Sequence, residues 1–339
     1  MNDRHLFPIF VCEGRSRSRF KVGYIDQRGH IAIEPIFEDG TRFYEGLASV
    51  QLRKKWGVIN NAGEFVIQPT LPSYARFHEG LASLSVKGLF GIIDREGAFV
   101  LQPSYDYVGP FMKGLALVRR GEMRQARYGY VNKEGREVIS AVFHDACSFS
   151  EGLAAAKVGG VWGYIMQSGV FKIPPRFEGS RLGVKRTEDT HAGYFVNGLA
   201  PVWLGNAYGF VDATGQVVID GSFAEANSFR EERALIELRG RCGFIDSKGN
   251  AVIEPRFTLA RDFSEGLARV ETKEPQAAFS PPSGFIDPDG NMVIDPKFRS
   301  ANSFQNGLCF VETDDSIGYI NRRGEFVWQV PYVDYGVVI

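Results

Sequence analysis

Cysteine is scarce and scattered in this chain. Cys12, Cys147, Cys242 and Cys309 stand far apart and form no Cys-x-x-Cys pair. That pattern argues against a zinc ribbon or a disulfide-framed secreted domain and makes a reducing cytoplasm the expected compartment. Histidine is equally sparse: His5, His30, His78, His144 and His191 share no place in the chain's pattern, and none sits at the i, i+4 spacing of a helical zinc motif. No apolar run approaches the length that crosses a bilayer, and the opening MNDRHLFPIFVCEGRSRSRF lacks the apolar core and cleavage site of a leader. An excess of one charge is also missing. Lys and Arg number 39 against 40 Asp and Glu, so the chain as a whole has no electrostatic pull toward nucleic acid or membrane. Nucleophile elbow, Walker loop and dinucleotide fingerprint are all absent. We therefore expect no enzyme, no catalytic residue, no cofactor and no metal.

What is abundant points to a folded β protein. Hydrophobic residues make up 44% of the sequence, with 39 glycines and 27 phenylalanines to supply many turns and many short strands. The main fact is a repeat. A segment of the form aromatic-Gly-apolar-Ile/Val-Asp/Asn-x-x-Gly recurs, as in WGVINNAG (Trp56 to Gly63), YGYVNKEG (Tyr128 to Gly135) and YGFVDATG (Tyr208 to Gly215). Its first glycine falls at Gly23, Gly57, Gly91, Gly129, Gly163, Gly209, Gly243, Gly284 and Gly318, in steps of 34, 34, 38, 34, 46, 34, 41 and 34. A second motif, Gly-Leu-Ala, keeps the same time from Gly46 to Gly307, with Glu232-Arg233-Ala234 as its degenerate member.

Each unit reads as three antiparallel strands with no long helix. An apolar strand such as Val58-Ile59-Asn60 ends in an Asp or Asn whose side chain caps a turn closed by glycine. The next strand, Glu64 to Gln68, is ended by Pro69, and a connection of about ten residues follows before Gly-Leu-Ala-x-Val opens the third. The capping set is Asp26, Asn60, Asp94, Asn132, Asp212, Asp246, Asp287 and Asn321; Asp exchanges freely with Asn there, which suits turn capping better than metal binding. The acidic residues before Gly-Leu-Ala (Glu45, Glu79, Glu151, Glu265) give way elsewhere to Lys113, Asn197 and Asn306 and read as solvated turn residues. Cys242 and Cys309, in aromatic and alanine positions of the repeat, read as packing residues.

This pattern resembles the bacterial WG-repeat (KWG-repeat) proteins, whose Trp-Gly pair stands here at Trp56-Gly57 and Trp162-Gly163. The aromatic is Phe90, Tyr128 or Tyr208 in other units and departs to Val22, Cys242, Ser283 and Ile317. The resemblance implies a β-repeat architecture used for binding and supplies no catalytic residues. The expected fold is all-β, a tandem array of about nine three-stranded units. Residues 1–20 form an N-terminal capping strand and basic turn, 21–332 the array, and 333–339 a C-terminal capping strand. Both ends look occupied by their own strands (Leu6 to Cys12 and Gly336 to Ile339), which points to an open, curved, solenoid-like array; closure as a β-propeller is the alternative.

The leading function expected is an interaction scaffold for a protein partner. The alternative is nucleic-acid or polyanion binding, and a glycan or small-molecule site between units stands behind it. The turns leading into the Trp-Gly strand are basic early in the chain, with Arg15, Arg17, Arg19 and Lys21, then Arg53, Lys54 and Lys55, then Arg119, Arg120, Arg124 and Arg127. Late ones are acidic: Glu271 and Glu274, then Asp314 and Asp315. Equivalent turns line up along one edge of a regular array, so the basic members are the candidate contacts for an acidic partner or nucleic acid. Three insertions, at 119–127, 178–193 and 271–283, break the period and map to loops.

Overall fold

A computed structural model describes residues 5–12, 20–122, 125–178, 193–272 and 281–331. Every regular element within them is a β-strand. In the first sheet β1 (Phe7–Cys12), β2 (Phe20–Ile25) and β3 (Ile31–Phe37) follow in order; the second contains β4 (Asp39–Gly40), β5 (Leu47–Leu52), β6 (Lys55–Asn60) and β7 (Phe65–Leu71). The third is built from β8 (Arg76–His78), β9 (Leu81–Val86), β10 (Leu89–Ile93) and β11 (Phe99–Tyr105). Six more sheets repeat the plan up to Phe326–Pro331, all antiparallel meanders with strands in chain order. The residues fall into two compact units, one built on Met1–Ser148 and the other on Phe149–Asp334.

The expectation of an open, solenoid-like array is overturned. Strands do not run on from repeat to repeat in shared sheets. Among the described residues they form nine separate small antiparallel sheets, the strand pattern of β-propeller blades. Occupied ends misled the reading, because β1 is an ordinary member of the first sheet, paired with β2 from Phe7↔Ile25 to Cys12↔Phe20. The tail 333–339 lies outside the described residues.

Two further details differ from expectation. Seven sheets have a fourth, usually very short strand within the connection read as irregular; β4 is only two residues long. And the proline does not end its strand. Pro69 lies within β7, where Trp56 pairs with Leu71 but Val58 pairs with Ile67, so the stretch around the proline bulges opposite Gly57. Where the repeat has proline there, as at Pro69, the edge strand withholds an amide from further pairing; Ala141 and Gly221 stand at that place in two other repeats. The bulge also explains the glycine. A Cβ on Gly57 would meet the Ile67 carbonyl oxygen at 2.8 Å, and one on Gly91 would meet that of Leu101 at 2.5 Å.

The core lies between successive sheets. Val58, Ile67 and Leu71 of the second sheet pack with Phe77, Ala82, Leu84 and Ile93 of the third, with Trp56 half-buried at the margin. Phe244, Ile253 and Phe257 pack likewise on Phe263, Ala268, Val270 and Ile286. A ring contact recurs at this seam, as in Tyr164–Phe195 (4.7 Å), Phe244–Phe263 (4.8 Å) and Phe285–Phe304 (5.0 Å). Where the repeat aromatic is Ser283, the place is filled by Arg269, which donates to Ser283 Oγ (3.0 Å) and the Ala301 carbonyl (2.8 Å) and pairs with buried Glu271.

Candidate functional site

The polar residues that define the repeat are engaged inside it. Asn60 Oδ1 accepts the Ala62 amide (2.9 Å) and the Glu64 amide (3.0 Å), and Asp94, Asp212, Asp246 and Asp287 do the same in their turns. These are turn caps, as the residue pattern suggested.

The acidic residues before Gly-Leu-Ala are turn residues that water reaches, Glu45 and Glu151 being exposed, but they do more than face solvent. Each clamps the next repeat. The Glu45 carboxylate accepts the backbone amides of Glu79 and Gly80 (3.0 Å for the latter) and the Arg95 guanidinium (2.9 Å). Glu79 takes the amides of Lys113 (2.7 Å) and Gly114 (2.9 Å) and pairs with Lys133 (3.0 Å). In the second unit Glu151 holds Asn197 and Gly198, Glu231 holds Glu265 and Gly266, and Glu265 holds Asn306 and Gly307. Because the clamp binds amides, the residue it grips can be Glu, Lys or Asn, which hid the role in the sequence. Burial pushes the Glu45 and Glu79 carboxyls up, yet these bonds outweigh it and hold both below the usual Glu value. The gripped residues sit at left-handed φ, 53° at Glu79 and 54° at Lys113, in tight two-residue turns. Asp262 joins repeats in another way, accepting from Asn227 Nδ2 (2.9 Å); burial raises its carboxyl despite that bond and nearby Arg230 and Arg261.

The basic turns divide into engaged and unengaged members. Arg119 donates to the Asp106 carbonyl (3.3 Å), and Arg127 to that of Ala126 (2.8 Å). Arg120 lies 4.0 Å over the Tyr105 ring and pairs with Glu137 (3.1 Å), which also accepts from the Tyr105 hydroxyl (2.7 Å). Burial and that carboxylate push the Tyr105 hydroxyl up to about 12. Arg53, Lys54 and Lys55 are exposed instead, and none has an ion-pair partner among the described residues. Arg15, Arg17, Arg19 and Arg124 lie outside the described residues, as does Glu274. On the acidic side Glu271 is buried in the Arg269 pair and faces no edge. Asp314 and Asp315 are exposed, and bonds from Thr313 and Ser316 hold the Asp315 carboxyl low. Arg239 and Arg241 occupy an equivalent late turn, so the edge does not run simply from basic to acidic.

One region missed in the sequence stands beside the Arg53–Lys55 turn. Three residues before the seam phenylalanine, four other repeats have a buried alanine (Ala146, Ala226, Ala260 and Ala301), and two more have Gly40 and buried Val108. Here the residue is Tyr74, 46% exposed. The chain path around it is altered. In other repeats the amide of Glu38, Asp106, Ala224 or Thr258 bonds to the strand carbonyl opposite. Pro72 occupies that place and has no amide to give. The Ser73 hydroxyl takes over, donating to the Ser85 carbonyl and accepting the Ser85 amide, both at 3.1 Å. Tyr74 is thereby free to stand outward against Trp56 (5.7 Å, edge-on). The Arg76 guanidinium lies 5.5 Å from the Tyr74 ring and 5.7 Å from the Tyr44 ring, and Tyr44 meets His78 at 5.3 Å. The signal was present as a lone tyrosine in a column of glycine, alanine and valine.

The family described as WG containing repeat matches seven times, at residues 23–56, 56–89, 90–122, 128–162, 208–242, 243–274 and 284–315. No curated protein matches the chain. Among solved structures the chain is similar to Kluyveromyces lactis Hsv2p, at 10% identity and TM-score 0.38 over 87% of this chain and 97% of that one. It is also similar to Kluyvelomyces marxianus Hsv2, at 14% identity and TM-score 0.38 over 67% and 85%. A third likeness is to BBS1N in complex with ARL6DN, at 10% identity and TM-score 0.34 over 67% and 83%.

Proposed function

This chain belongs to the WG-repeat family, and we propose that it is a non-enzymatic interaction scaffold that presents its repeat surface to a protein partner. One observation carries the reading. The polar groups shared by the repeats are engaged in turn caps and inter-repeat clamps, whereas Tyr74 and the Arg53–Lys55 turn, which depart from the repeat, stand exposed. A scaffold differentiates its units in this way, keeping the frame constant and varying what faces outward. Tyr, Trp and Arg are also the side chains that anchor protein interfaces. The test is affinity capture from a native lysate with the full chain as bait, beside a variant lacking the single repeat that contains Trp56. Specific capture of a partner by the full chain and its loss in the variant supports the reading. Capture of no specific protein overturns it.

A second reading, binding of nucleic acid or another polyanion, draws on the unpaired Arg53, Lys54 and Lys55. It predicts oligonucleotide binding that weakens steeply as salt rises. Undetectable binding at low salt removes it.

A further inference from the structure

Two departures from the repeat converge on one surface of the first unit. The first is the Arg53-Lys54 turn. Both residues adopt left-handed φ, 53° and 62°, in the two-residue connection between β5 and β6. Equivalent connections place glycine at one or both positions: Lys87-Gly88, Gly159-Gly160 and Arg239-Gly240. A lysine at the second position resists that conformation where glycine would not. In exchange the turn presents three consecutive exposed cations, Arg53, Lys54 and Lys55. The nearby Glu38 carboxylate is engaged by the Lys54 backbone amide (2.8 Å).

The second departure is Tyr74, turned outward where four other repeats bury alanine. Trp56 joins the two, being next in the chain to Lys55 and in ring contact with Tyr74. Arg76 continues the row on the far side. A local rule broken without structural gain marks a place where something other than folding sets the residue. Here two rules are broken side by side.

We infer that Arg53, Lys54, Lys55, Trp56, Tyr74 and Arg76 form the docking surface for an acidic, extended segment of a protein partner, which deepens the scaffold reading and rests on it. Arg53, Lys54 and Lys55 have no ion-pair partner among the described residues and cluster at one turn, so they match a short run of carboxylates. A nucleic-acid strand would need cations spaced along its phosphates. The exposed ring beside them supplies the apolar anchor that fixes register, as tyrosine does at protein interfaces.

Fluorescence anisotropy with three labelled probes of equal length tests this: a Glu-rich peptide with a central Trp, its Gln-for-Glu counterpart, and single-stranded oligo-dT. The proteins are the full chain, Lys54→Gly and Tyr74→Ala, each with a melting curve. Both substitutions restore what other repeats have, so a role in folding and a role in docking give different results. We expect the Glu-rich peptide to bind about tenfold tighter than the Gln counterpart and tighter than oligo-dT. Tyr74→Ala lowers its affinity about tenfold with an unchanged or higher melting temperature, and Lys54→Gly lowers it about threefold with a higher one. Undetectable peptide binding, equal affinity in the variants, tighter binding of oligo-dT, or a melting temperature lowered by Tyr74→Ala overturns the inference. If a partner captured from lysate is retained in full by Tyr74→Ala, this surface falls while the scaffold reading stands.

Discussion

The repeat that contains Trp56 and the repeat that contains Ser283 fill the same place in the chain path with opposite chemistry. In the first an indole meets an exposed tyrosine, and the preceding turn holds three unpaired cations. In the second a guanidinium is drawn inward. Arg269 bonds Ser283, the Ala301 carbonyl and Glu271, and its side chain is 13% exposed. A cation engaged by a buried carboxylate, a hydroxyl and the next repeat's carbonyl belongs to the frame. A cation left facing water at a strained turn does not. Net charge hides the distinction, because both kinds count equally in a total of −1.

The strongest way to break the comparison is to uncouple the buried pair. Glu271→Ala leaves Arg269 charged and buried, and we expect a loss of about 3–5 kcal/mol, read by chemical denaturation. A loss below about 1 kcal/mol would mean that the pair is solvated and that the two repeats do not differ as described. Next in size is the shared frame. Gly57→Ala drives a Cβ into the Ile67 carbonyl, and a loss of about 2–3 kcal/mol is expected in the same measurement. An unchanged midpoint would show that the bulge yields and that the Trp-Gly glycine has another cause.

The clamps give a smaller, pH-dependent effect. Glu79 has a folded pKa lowered below its unfolded value, so its contribution is present above the unfolded pKa and is lost as pH falls through the folded one. Glu79→Gln should cost about 1 kcal/mol at neutral pH, and wild type and variant should converge once the pH has fallen through the lowered folded pKa. A gap that persists in acid would assign the loss to packing.

Sequence and structure agree best where sterics leave one answer. Gly57, Gly91 and their counterparts face a carbonyl too closely for any Cβ, so they kept the period visible through insertions of several residues. Asn60 and Asp94 were legible as caps because an Asx turn acts within four residues. The clamps escaped notice because Glu45 grips amides 34 and 35 residues away, and an amide has no side-chain signature. β4 is two residues long and shows no alternation to read. The choice between solenoid and blade turned on whether sheets are shared between repeats, and the Pro69 bulge looked in sequence like a strand end. Tyr74 needed the comparison of repeats at one column, followed by the Pro72 and Ser73 bonding that explains its exposure.

The central claim is that this chain meets its partner through the first unit's departures from the repeat. The most direct measurement places a photo-crosslinking phenylalanine analogue at Tyr74 in one protein and at Val252, an exposed outer-strand residue of the second unit, in another. Irradiation in lysate should yield one discrete adduct from position 74 and none from position 252, with Lys54→Gly reducing the first. Adducts of equal yield from both positions, or none from position 74 while the chain still captures a partner, would contradict the account.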